Sequence, residues 1–130
     1  MTGAPFWYLW LIAFGTTLLL EAPVVLWLLR PSEPSLLRRV VLLVVANLAT
    51  HPLVWFFFPA LPLKRLTSRL LSEGWAFAAE MLIYALLVAL GDQRFGKVLA
   101  RAALVSALAN GLSWGLGPPI FRALAAVLGA

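Results

Sequence analysis

Glu21, His51 and Glu80 each interrupt a long apolar run, and they are the residues of this chain best suited to chemistry. An ionisable group inside an apolar helix costs at least ~2.5 kcal/mol on insertion scales, so it needs a partner or a task. Three chemistries suit two carboxyl groups and an imidazole held together. They can take up and hand on protons. They can bind a divalent cation through Glu21, His51 and Glu80, with amide oxygens completing its shell. They can also serve a membrane-embedded, metal-dependent enzyme. No HExxH pair, serine-nucleophile motif or protease carboxylate motif is present, so the enzyme reading ranks last.

The neighbours of these three residues follow helical spacing. Asn47 and His51 are four apart, as are Glu80 and Tyr84 and also Ser106 and Asn110; Thr17 precedes Glu21 by four and Ser113 follows Asn110 by three. Such spacing places each set on one helix face. Depth agrees as well. Counted inward from the Arg30 end of the first run and the matching ends of the others, Glu21, Asn47, His51, Glu80, Tyr84, Ser106 and Asn110 lie roughly 10–18 Å deep at ~1.5 Å per residue. This predicts one shared polar layer built by four helices. The plainer role of Ser106, Ser113, Thr17 and Asn47 is to glue helices together by hydrogen bonds. Glu73 reads as a surface residue near the membrane edge, within reach of Arg69 one turn earlier.

Pro23 and Pro52 sit beside the polar residues. A proline removes a backbone donor and frees the carbonyl one turn earlier, here those of Leu19 and Leu48. Bent helices next to buried acids suit an ion or proton path.

The elements that carry this layer are read from hydropathy. Of 130 residues, 63% are hydrophobic and 12% charged, about half the charge of a soluble domain; mean hydropathy is +0.97. Apolar runs cover about 5–29, 40–61, 70–90 and 98–117, each near the roughly 20 residues a span requires. The predicted fold is all-α: a four-transmembrane-helix bundle forming a single domain over 1–130, with short loops. Pro31 to Arg39 reads as the first loop, and Lys64, Arg65 and Arg69 mark the second. Gly91-Asp92 ends the third span and Arg94 lies in the loop beyond. Pro118-Pro119 is expected to break the fourth span, leaving a short interfacial helix from Ile120 to Ala130. No internal repeat stands out.

Met1 to Leu29 lacks a basic leader segment and reads as the first span. With no cysteine, disulfides and thiolate metal sites are excluded. The net charge of +5 belongs to cations flanking apolar runs, so lipid headgroups explain it and nucleic acid does not. Arg30, Arg38, Arg39, Arg94, Lys97 and Arg101 lie on one side and Lys64, Arg65, Arg69 and Arg122 on the other. That bias favours cytoplasmic first and third loops in a multi-pass inner-membrane protein. Gly111 and Gly115 form a GxxxG, and a homo-oligomer or a partner membrane subunit is expected. The function expected is a small transporter- or channel-like protein whose Glu/His/Glu centre handles protons or a cation. The alternative is a non-catalytic subunit of a larger membrane complex.

Overall fold

The computed structural model describes residues 4–89 and 95–129, and every regular element among them is helical. The expected stop at Gly91-Asp92 and the loop cation Arg94 lie outside the described residues. Helix α1 spans Phe6–Leu28, α2 Leu36–Pro52, α3 Arg65–Ala89 and α4 Phe95–Val127. Beyond Pro52, α2 runs on through a π-helical turn at Leu53–Phe57 and a 3-10 turn at Phe58–Ala60. Helices α2 and α4 each pack against both α1 and α3, so the four form a ring of neighbours.

Among the described residues three helices are long and apolar enough to cross a membrane: α1, the Leu36–Ala60 run and α3. Helix α4 has 33 residues, but Arg101, Ser106, Asn110, Ser113 and its glycines and prolines dilute its apolar run.

Three boundaries differ from expectation. Helix α2 begins at Leu36 and takes in Arg38 and Arg39, which were assigned to the loop. Ser35 caps it, its Oγ accepting from the Arg38 N–H at 3.3 Å, a bond that satisfies an orphan donor of the first turn. Arg39 is buried because its guanidinium turns back to the Leu26, Pro34 and Ser35 carbonyls. It thereby serves acceptors that the end of α1 leaves open. Helix α3 starts at Arg65 rather than Leu70. The Arg65–Arg69 turn is polar enough to escape a hydropathy reading, yet it contains no helix breaker. Ser68 fixes it, its N–H donating to Lys64 O at 2.9 Å and its Oγ to Phe58 O at 2.7 Å.

The third correction is the largest. Pro118 and Pro119 lie inside α4, so there is no separate C-terminal interfacial helix. A residue before proline is disfavoured in the α region because its own Cβ meets the proline ring. Before Pro118 that residue is Gly117, which has none, so one of the clashes at the pair is relieved. The backbone passes both prolines without a break, and Arg122 Nε donates to the Pro118 carbonyl at 3.2 Å.

At Pro52 the chain adapts differently. The missing donor shifts the next turn to π register, with the Phe58 N–H reaching Leu53 O. Leu61 is then extended, as expected ahead of Pro62.

Where α1 ends and α2 begins, the interior is apolar. Val25, Leu29, Leu42, Leu43, Ala85, Val88, Val98, Ala102 and Val105 are all buried there. This plug closes one end of the bundle. The other end holds the site.

Candidate functional site

Glu21 and Glu80 face each other's helices across the interior, both about 1% exposed. Each is held the same way. Glu21 Oε2 accepts from Asn47 Nδ2 at 2.8 Å, and its Oε1 from Ser113 Oγ at 2.9 Å. Glu80 Oε2 accepts from Asn110 Nδ2 at 2.6 Å, and its Oε1 from Thr50 Oγ1 at 3.0 Å. Helices α1 and α3 supply the acids; α2 and α4 supply the donors.

The arrangement is two-fold in its partners. Exchanging the α1–α2 hairpin for the α3–α4 hairpin maps every one of these bonds onto another. Asn47-Leu48-Ala49-Thr50 corresponds to Asn110-Gly111-Leu112-Ser113, an Asn and a hydroxyl residue three apart on one face. Each asparagine serves the glutamate of its own hairpin, and each hydroxyl serves the glutamate of the other. The absence of an evident repeat in the sequence is corrected by this geometry. The polar positions repeat, and the exposed apolar residues between them have no reason to match.

The correspondence extends outward. One turn beyond the Asn positions, Trp10 lies 5.9 Å from the His51 ring in one half. In the other half Arg69 lies 4.9 Å from the Trp114 ring. These pairs occupy matching places, so the halves share a scaffold and differ in the chemistry at its outer end.

Between the halves lies a cavity of about 260 Å³. Its floor is Glu21, Asn47, Thr50, Glu80, Asn110 and Ser113, with His51 on the wall. It rises past Glu73, Trp55 and Phe121 to Arg69, Trp114 and Pro118, which are exposed. The mouth therefore opens where α2 ends and α3 begins, opposite the apolar plug. The polar layer was expected nearer the plug's end; it instead communicates with the far one.

His51 is 6% exposed and packed among Trp10, Phe14 and Trp55 at ring distances of 5.4–6.0 Å. Its Nε2 lies 3.4 Å from Thr17 Oγ1, while its Nδ1 has no partner.

Glu21, Asn47, His51, Glu80 and Asn110 thus line one cavity. Ser106 and Tyr84 do not. Ser106 Oγ donates to Phe77 O at 2.9 Å and accepts from Asn110 Nδ2 at 3.2 Å, joining α4 to α3. Tyr84 lies one turn beyond Glu80, fully buried in the plug cluster, and its hydroxyl has no partner. Glu73 was read as a surface group within reach of Arg69. It is half-buried on the cavity wall instead, and the ion pair recorded among the described residues is Arg38–Glu33 at 3.0 Å. Glu73 lies on the face of α3 that lines the cavity, while Arg69, one turn earlier, is exposed at its mouth.

Among the described residues no group of three or more His, Asp or Glu side chains is placed to hold a metal ion. The expected divalent-cation set of Glu21, His51 and Glu80 is not gathered into such a group. Thr50 was missed by sequence reasoning. The Asn-x-x-Thr and Asn-x-x-Ser correspondence was the signal that could have found it.

Comparisons with known protein families, with curated proteins and with solved structures return no match.

Proposed function

We propose that this chain is a small polytopic membrane protein, transporter- or channel-like, whose Glu21–Glu80 floor receives protons or a cation through the cavity. All four helices cross the bilayer in this reading, with the polar face of α4 turned to the interior. The observation that carries it is the pairing of two buried carboxyl groups, each clamped by two donors, at the end of a cavity that reaches the surface on one side. Groups so costly in lipid are held open to a solute path rather than packed away. The apolar plug on the other side is what a gated path requires, since it blocks free leakage. We place the protein in an inner membrane with the plug end toward the cytoplasm, so the mouth faces outward. Its membrane-exposed faces would be covered by lipid, by a second copy or by a partner subunit.

Proteoliposomes carrying the full chain should show proton or cation flux above that of empty vesicles. Glu21→Gln and Glu80→Gln keep side-chain volume and should each abolish that flux while the protein still elutes as a folded species. Undiminished flux in both variants would sink the proposal.

A further inference from the structure

The hydrogen-bond inventory of the floor is one-sided. Asn47 Nδ2 has two hydrogens and gives them to Glu21 Oε2 and the Leu43 carbonyl. Asn110 Nδ2 gives its two to Glu80 Oε2 and to Ser106. The single hydroxyl hydrogens of Thr50 and Ser113 are directed to carboxylates or to backbone carbonyls. No donor of the floor is left for a ligand. Acceptors are left over. A carboxylate offers about four acceptor positions, and each of these two has two donors.

We infer that the ligand of this cavity is a protonated primary amine: a compact organic ammonium ion that brings its own N–H donors. The ammonium head lies on the floor between Glu21 and Glu80. Its alkyl body lies against Trp55, Trp114 and Phe121. This rests on the reading of the floor as a cation site and names the class of cation. An anion finds no donor on the floor. A quaternary ammonium ion has charge but no N–H, so it leaves the acceptors unsatisfied, and unpaired buried acceptors are costly. A cavity of about 260 Å³ sits just below the roughly 300–1,000 Å³ of ordinary small-molecule pockets, which suits an ion of a few carbons.

The test uses the full chain in nanodiscs and three probes: n-butylammonium, tetramethylammonium and butyrate. Calorimetric titration should show n-butylammonium binding more than about tenfold more tightly than tetramethylammonium, the cost of losing a charged hydrogen bond, and butyrate not binding. The chain has one histidine and it lines the cavity, so its Nε2 15N resonance is a unique reporter there. That resonance should move on adding n-butylammonium and stay in place with tetramethylammonium. Glu21→Gln and Glu80→Gln should each weaken n-butylammonium binding about tenfold; the resonance measurement needs no variant and stands if those proteins misfold. Equal binding of tetramethylammonium, or no binding of either ammonium ion, overturns the inference. Flux lost in Glu21→Gln together with absent amine binding would leave the transport reading intact and reject the amine alone.

Discussion

Asn47 and Asn110 do the same work in opposite halves of the bundle: one amide donates to Glu21 at 2.8 Å and the other to Glu80 at 2.6 Å. They stand on α2 and α4, which pack on the same two neighbours. The hydrogen bonding of each acid therefore depends on a residue of the following helix, and the two hairpins depend on each other through Thr50 and Ser113.

Equivalence of the halves makes a prediction about stability. Asn47→Leu and Asn110→Leu each strip a donor from a buried carboxyl group. Each should destabilise the protein by about 1–3 kcal/mol, and the two losses should be similar. Thr50→Val and Ser113→Ala should cost less, since a neighbouring amide still serves each acid. Unfolding titrations in detergent read this directly. A large loss in one asparagine variant beside a neutral result in the other would show that only one half holds its acid this way.

Tyr84 was expected in the polar layer and belongs to the plug. Its hydroxyl is buried without a partner, and such a group destabilises by about 1–3 kcal/mol. Tyr84→Phe removes it without opening a cavity. The variant should be as stable as the parent or more so, by about 1 kcal/mol, with flux unchanged. A clear loss of stability on the same titration would mean that water reaches the hydroxyl and that the plug is wet.

Gly117 relieves the clash ahead of Pro118, the first of the two prolines inside α4. A Cβ added there meets nothing within 4 Å, so a packing clash is not the issue. The clash is with the following proline ring. Gly117→Ala should therefore lower stability by about 1 kcal/mol. Pro118→Ala in the same chain should restore it, a coupling between adjacent residues that a double-mutant cycle measures. Additive effects would place the cost elsewhere.

Hydropathy alone marked the helical character of the chain and three of its long apolar helices, because burial of backbone in lipid leaves helices as the economical solution for runs of this length. Spacing and depth picked out Glu21, Asn47, His51, Glu80 and Asn110, since the 3.6-residue period reports which side chains share a face. Periodicity says nothing about partners between helices. That Asn47 serves Glu21 while Thr50, on the same helix, serves Glu80 follows from α2 lying between α1 and α3, and only packing decides it. The same limit explains Glu73 and Tyr84. Both have the right spacing, yet one lines the cavity and the other fills the plug, because depth along α3 depends on where the helix starts and on what its neighbours place opposite. Local chemistry was also read too simply at Pro118-Pro119, where the helix continues through both prolines and a preceding glycine relieves the clash at the first. The two-fold relation between hairpins is carried by a handful of polar side chains. It becomes visible when tertiary structure brings them together, because lipid-facing positions are held only to being apolar and keep no trace of it.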